Sequence, residues 1–462
     1  MQTYVLVGIG GRARMFTEAI TGKYKDSTKL TAVCDNNKGR LNLAREKFKS
    51  IGQELVIYPA EDFEKMLACH NPDCVIICTW DFSHDEYICR SLESGFDVIV
   101  EKPMTTDEKR CQRIIDAVKK TGKSVRVTFN CRYSPARSQV KELLMDGVIG
   151  KILSVEFQWW LDTNHGVDYY RRWHRKKANS GGLMVHKASH HFDLINWWLS
   201  SVPKTVFARG GKIFYNASQA KRYGLENHAK RCLDCQLKHK CNFYLDINAF
   251  EIMKDLYLKN EKYDGYIRDC CIFDEDIDIE DSMNVIVEYR NRVFLSYSLN
   301  AFTPWEGYKV AFNGTKGRLE HLSQESSYVS GDGRVQGSVR PEGTSIKVFP
   351  HFKTPYSIEV KKGFGSHAGG DVVMLNDIFN PLKSDPLRRC ADYVQGSYSV
   401  LIGIAANKSM ANGQMIYIDE LVTGLPEPEF PKMPVGQERI SYVSDSERYS
   451  DGVKANANNL PW

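Results

Sequence analysis

Over residues 1–129 short apolar runs alternate with stretches of helical periodicity. Strands are expected at Tyr4 to Gly8, Leu30 to Cys34, Cys74 to Thr79, Asp97 to Val100 and Ser124 to Phe129. Helices are expected at Arg14 to Thr21, Arg40 to Lys49, His84 to Ser94 and Thr106 to Thr121, the last opening on a cap-like Thr106. Such alternation predicts an α/β domain with a doubly wound parallel sheet. From Asn130 the period changes. Ile152 to Trp160 and Met283 to Phe302 alternate apolar and polar positions, as strands with one buried face do. Residues 130–422 are therefore expected to form an α+β domain on a large, mostly antiparallel open sheet. A polar, Lys- and Asp-rich stretch at about 210–280 reads as an insertion into it. Residues 423–462, with prolines at 426, 428, 431, 434 and 461, suit an extended tail that wraps its own domain or a neighbouring subunit.

Composition adds mainly exclusions. With 462 residues, 42% hydrophobic and 26% charged, the chain has the balance of a globular protein of two or three domains. The net charge of +5 is spread without a dense Lys/Arg run, which argues against a nucleic-acid partner. No stretch of about 18 apolar residues occurs, so no membrane span is expected. The first residues run straight into an apolar strand rather than a cleavable leader, which points to the cytoplasm. The thirteen cysteines then read as reduced thiols or metal ligands rather than disulfides.

The first strand leads into Gly8-Ile9-Gly10-Gly11-Arg12-Ala13 and then a helix. In that setting Gly8 permits the turn, Gly10 lets a pyrophosphate approach the backbone, and the small Ala13 allows close helix–strand packing. Asp35 ends the second strand, where a carboxylate would accept hydrogen bonds from an adenosine ribose. That selects a Rossmann domain for NAD over NADP, with Asn36, Asn37 and Lys38 leaving room for dual use.

The fourth of these strands finishes at Val100 and is followed by Glu101-Lys102-Pro103, a lysine at the carboxyl edge of the sheet. Together with Gly8 to Ala13, Thr79-x4-His84, Phe129 to Pro135, and Ser180-Gly181-Gly182-Leu183 running to His190-His191-Phe192-Asp193, this resembles the Gfo/Idh/MocA oxidoreductases, the glucose–fructose oxidoreductase and inositol dehydrogenase family. Gly314 to Gly317 and Ala405 to Ser409 also fit. The resemblance implies hydride transfer between nicotinamide and a carbinol of a carbohydrate, glycoside or cyclitol, with Lys102 and His190 contacting the reacting oxygen. It places Thr79, His84, Glu101, Lys102 and Asn130 at the cofactor beside the glycine turn, Gly11 and Arg12 included, and implies a homodimer or homotetramer. His186 stands where the family usually has aspartate, four residues before His190 and on the same helix face. That departure keeps open an NAD-cycling lyase or glycosidase acting through a transient keto-sugar. A dinucleotide-binding sensor without chemistry is a third reading.

Tyr169 to Arg175 is dense in rings and guanidinium groups, which suit the apolar faces and hydroxyls of sugars. Tyr170, Arg171, Trp173 and Arg175, with Arg132, His186 and His190, are the candidate substrate wall. Tyr133, Asn164, His165, His367 and Asp371 are weaker candidates. His191 is expected to face away, and His186 with His190 could also ligate a metal. In the insertion, Cys232-x2-Cys235-x5-Cys241, completed by Cys270 or Cys271, reads as a structural zinc site, with an iron–sulfur cluster or free thiols as alternatives.

Overall fold

The computed structural model describes residues 1–327, 343–364, 367–381 and 384–434. The first sheet contains strands β1 Gln2–Val7, β2 Thr28–Asp35, β3 Val56–Pro59, β4 Cys74–Ile77, β5 Asp97–Val100 and β6 Val125–Val127. They are parallel in the order β3-β2-β1-β4-β5-β6, the doubly wound arrangement, with β1 and β4 meeting where the winding reverses. Val5, Leu6, Val7, Val75, Ile76 and Ile77 are fully buried, because helices cover both faces of these strands. Strand β3 and the helix Phe63–His70 were not among the expected elements. β3 is a half-exposed edge strand of four residues, too short to carry a period. The helix after β5 runs Glu108–Thr121 and is capped by Asp107, whose side chain accepts from the Arg110 N–H at 2.9 Å, so Thr106 lies outside it.

The second sheet contains β7 Ile152–Asp162, β8 Pro203–Gly211, β9 Ser282–Tyr289, β10 Phe294–Thr303, β11 Trp305–Gly314, β12 Gly317–Ser327, β13 Ser345–Pro350 and β14 Tyr356–Ile358. Its order is β14-β13-β12-β11-β7-β10-β9-β8, extended at the β8 edge by Ile416–Tyr417. All pairs are antiparallel except β10 with β7. The expected strand Met283 to Phe302 is two, β9 and β10, joined by a turn with Arg292 at φ +69°. Residues 212–281 leave and re-enter between the paired neighbours β8 and β9, so they are an insertion in the spatial sense as well.

Chain beyond residue 130 returns to the first domain twice. The strand Ala391–Asp392 pairs antiparallel with β6, and the helix Gly370–Phe379 places Met374, Ile378 and Phe379 in a cluster with Tyr4, Phe16 and Ile20. Between the domains runs the helix Tyr393–Asn412, opened by a capping box of Asp392 and Gln395 and buried on nearly every side over its first fourteen residues. Of the tail, residues 423–434 strap their own chain. The Thr423 N–H donates to Gln112 and the Pro431 carbonyl accepts from Ser200, both at 2.7 Å. Residues 435–462, Pro461 among them, lie outside the described residues.

Candidate active site

Gly8 adopts φ +87°, and a Cβ there would stand 2.7 Å from the Cys78 and Thr79 backbone, so β1 and β4 approach each other only because residue 8 is glycine. Above Gly10 a Cβ would meet nothing within 4 Å. The Gly11 N–H points outward and donates to the Tyr257 hydroxyl at 3.2 Å. An open glycine backbone with an outward amide at the start of the helix Ala13–Thr21 fits a pyrophosphate, so Gly10, Gly11 and the first turn of that helix would hold a dinucleotide. Arg12 closes the turn against the sheet edge through Glu101 (2.9 Å) and Asp371 (3.2 Å), and Asn130 donates to the same Asp371 at 2.6 Å. Asp35 is buried. Its oxygens accept from the N–H groups of Ile9 (2.6 Å) and Asn37 (2.7 Å) and from Arg40 (3.0 Å), so in this structure it fixes the turn rather than standing open to a ribose. His84 bridges the carbonyls of Pro103 (2.8 Å) and Thr79 (3.1 Å); it aligns the two loops and its ring nitrogens are both engaged there.

Lys102 emerges from this braced edge and donates to the His186 carbonyl at 3.5 Å. Burial lowers its pKa to about 8, against the opposing pull of Asp81 and Glu101. Asp81, which the sequence did not single out, meets His186: Oδ2 and Nδ1 are 2.5 Å apart. Burial raises the Asp81 carboxyl well above its ordinary range and lowers His186 well below its own, the positive charge of Lys102 adding to the second effect. Burial thus disfavours the charged form of each group at their contact. The carboxyl group beside His186 comes from the loop after β4 rather than from the helix that carries the histidines. The helix carrying these histidines is also interrupted, running Gly182–His186 and then Ala188–Leu199. His190 is buried with its ring edge-on to Phe129 (5.9 Å), whereas His186 packs against His174 (4.1 Å) and Tyr169 (5.4 Å). His191 lies in the core, stacked on Trp159 at 3.8 Å and hydrogen-bonded to Tyr297 at 2.6 Å.

The proposed substrate wall divides. Trp173 stacks on Trp80 at 5.3 Å and on His174 at 3.6 Å, beside His186. The others are corrected to structural places. Tyr170 is fully buried, donating to the Glu280 carbonyl at 2.9 Å. Arg171 binds Cys232 Sγ (3.3 Å) and the Phe243 carbonyl, and Arg175 pairs with Asp276, so both serve the insertion. Arg132 makes a two-pronged pair with Asp193 at 2.6 and 2.7 Å, with no exposure on either side chain. Side chains of one segment of short turns face different surroundings, which composition does not reveal. Of the weaker candidates, Tyr133 donates to Asp377 and Asn164 caps back to Asp162, while the His367 side chain lies outside the described residues. His165 joins Glu306 (2.8 Å) and Tyr169 (3.1 Å), and Lys187 stands 3.7 Å from Glu306. His165 and Lys187 lower Glu306 to about 2 against the upward effect of burial. Trp80, Asp81, Lys187 and Glu306 were missed, and His174 was read only within the Tyr169 to Arg175 segment; Trp80 and Asp81 follow Thr79 directly, which was the available signal.

The insertion roofs the cleft. Besides Tyr257 on Gly11, the Asn260 carbonyl accepts from Asn37 (3.0 Å) and Asp264 pairs with Arg40 (2.7 Å). A Cβ on Gly39 would overlap Asn260 Oδ1 at 1.7 Å, so this close approach requires glycine. Tyr266 packs on Trp80 (5.3 Å) and Tyr257 (5.8 Å), and Arg268 binds Asp168 at 2.8 Å through both guanidinium arms. Among the described residues no three His, Cys, Asp or Glu side chains are placed to share a metal ion. The zinc expected at Cys232, Cys235, Cys241 and Cys270 is therefore not supported, nor is a metal between His186 and His190. Cys270 turns away and donates to the Ile267 carbonyl. Among the described residues no helix is long and apolar enough to cross a membrane.

Residues 2–129 match the family model for the NAD-binding Rossmann fold of the Gfo/Idh/MocA oxidoreductases, and residues 141–418 match the model for their C-terminal alpha/beta domain. The chain is 36% identical over 432 residues to "Putative oxidoreductase YteT" of Bacillus subtilis, covering 91% of this chain and 99% of that protein. It is 29% identical to an inositol 2-dehydrogenase/D-chiro-inositol 3-dehydrogenase of Lactiplantibacillus plantarum over 193 residues, 42% of this chain and 51% of that one. In fold it is similar to an Agrobacterium radiobacter oxidoreductase solved with NAD+, L-tartaric acid and magnesium (TM-score 0.61, 16% identity, 91% of this chain and 99% of that one). It is also similar to the WlbA dehydrogenase of Bordetella pertussis solved with NADH and UDP-GlcNAcA (TM-score 0.58, 18% identity, 90% and 98%). With both of its domains matched, the chain belongs to the Gfo/Idh/MocA family of oxidoreductases and carries that family's NAD-binding Rossmann domain.

Proposed function

We propose that the enzyme moves hydride between nicotinamide and a carbinol of a carbohydrate, glycoside or cyclitol, with Lys102 as the proton-exchanging group at the reacting oxygen. The observation that carries this reading is the half-buried Lys102 beside the Asp81–His186 pair. Oxidising an alcohol separates a hydride from carbon and a proton from oxygen. Bound nicotinamide would take the hydride; the amine of Lys102, with its pKa near 8, takes the proton. Asp81 and His186 hold one further proton at Oδ2 and Nδ1, and His190 lies on the following helix. Trp173, stacked on Trp80, offers the sugar an apolar face. Exposed Ile286 and Phe294 on the open sheet support association of copies of the chain, which light scattering would read as a dimer or tetramer mass.

The roof favours a second reading, an NAD-cycling lyase or glycosidase, because a cofactor covered by Tyr257 is suited to staying bound through a turnover. A screen of 3-oxo sugars, glycosides and inositols that follows NADH and product together separates the two. NADH equal to product supports the dehydrogenase, and product without net NADH supports cycling. Product formation unchanged in Lys102→Met would sink both.

A further inference from the structure

The insertion between β8 and β9 has little regular structure to hold it. Among its described residues the helices Ala217–Arg222 and Glu251–Leu256 are the longest, and one bridge, Arg231 opposite Cys270, is its β-pairing. Yet it reaches the nucleotide turn and presents Tyr257, Asn260 and Asp264 there in defined contacts. Something must order its base.

The bridge decides which cysteines face one another. The Cys232 N–H donates to the Asp269 carbonyl and the Cys271 N–H to the Lys230 carbonyl, both at 2.8 Å. Side chains alternate across such a pair, so Cys232 and Cys271 share a face while Cys270 lies on the other with Arg231. A tight turn, with the Cys235 N–H on the Cys232 carbonyl at 3.1 Å, brings Cys235 to the same side. Cys232, Cys235, Cys241 and Cys271 line one cavity together with Phe243 and Phe273. Arg171 donates to Cys232 Sγ at 3.3 Å and to the Phe243 carbonyl, a cationic donor directed at sulfur.

Four thiols that line one cavity without converging on a single ion restrict the occupant. A zinc ion needs four sulfurs at about 2.3 Å from one point, and these residues are not placed to share a single ion. A cuboidal iron–sulfur cluster is held by four thiolates at its corners, with its own body between them, in a dry surround with donors to the sulfurs. We propose that Cys232, Cys235, Cys241 and Cys271 hold a [4Fe–4S] cluster that orders the insertion. Its role is structural, and it fixes the base of the arm whose far end covers the nucleotide turn.

Iron and acid-labile sulfide, measured on the full chain purified anaerobically and reconstituted with ferrous iron and sulfide, test this. About four of each per chain are expected, with an electron-paramagnetic signal after dithionite reduction. Cys270→Ser should keep both and Cys271→Ser should lose them, although the two positions are adjacent. Absence of iron from the reconstituted wild type, one zinc per chain in its place, or loss in Cys270→Ser with retention in Cys271→Ser each overturns the proposal. Circular-dichroism melting of the Cys271→Ser chain should show the two sheet domains still folded; global unfolding of that variant would overturn a role confined to the insertion.

Discussion

On the first-domain side of the cleft, Gly8 to Ala13, Thr79 to His84 and Glu101 to Pro103 are short contiguous segments at the carboxyl ends of neighbouring parallel strands. On the other side Trp173, His186, Glu306 and Tyr257 come from a 3₁₀ turn, a short helix, a strand and an insertion, and meet only through packing. A parallel sheet ends its strands side by side, so one loop after each strand builds a site from local sequence. In the second domain β7 and β10 end side by side in this way, bringing His165 to Glu306, but Trp173, His186 and Tyr257 reach the cleft from outside the sheet. Arginine there more often braces the scaffold than touches the opening, as Arg132, Arg171 and Arg175 do.

Substitutions can break that contrast or sharpen it. Lys102→Met, on the locally encoded side, should lower kcat/KM by roughly 10²–10⁴-fold, the usual range for an acid–base group. The wild-type profile should carry its mark. Because burial lowers the folded pKa to about 8, the amine is charged below that pH and neutral above it, so kcat/KM for oxidation rises through about pH 8. A flat profile across that pH, or one unchanged in Lys102→Met, would remove the lysine from the proton step. Asp193→Ala, in the scaffold of the other side, strands the unexposed Arg132 and should cost about 3–5 kcal/mol of stability by denaturant unfolding.

Smaller effects separate neighbours in one segment. Trp173→Ala should raise KM several-fold with little change in Tm, as about 1 kcal/mol of ring contact would. Tyr170→Phe removes a buried hydroxyl bonded to Glu280, so it should lower Tm and leave KM alone. The reverse pattern would return the substrate wall to Tyr170. Smallest is Tyr257→Phe: losing one hydrogen bond of about 0.5–1.5 kcal/mol should speed NAD dissociation roughly two- to tenfold in a stopped-flow chase. No change would mean that Tyr257 leaves the turn when the cofactor binds.

The legible parts of this site were those where chain neighbours are also neighbours in space. Gly8, Glu101 and Lys102 belong to strand-end turns whose geometry follows from a few residues. Asp81 was hidden because its partner, His186, lies 105 positions away, so that spacing gave no sign of the pair. The choice between Cys270 and Cys271 was hidden for a related reason: it rests on the register of a bridge to Arg231, set by backbone hydrogen bonds rather than by either side chain.

By itself the sequence determined the doubly wound first domain, the nucleotide turn, the lysine at the sheet edge and the presence of an insertion, because period, glycine placement and strand-end motifs are local properties. Tertiary structure alone decided that a carboxylate reaches His186 from the first domain, that most of the arginines around the cleft are braces, and that the insertion lies over the nucleotide turn. Each of those depends on which distant groups are buried against one another, and burial is settled only when both domains and the insertion close together.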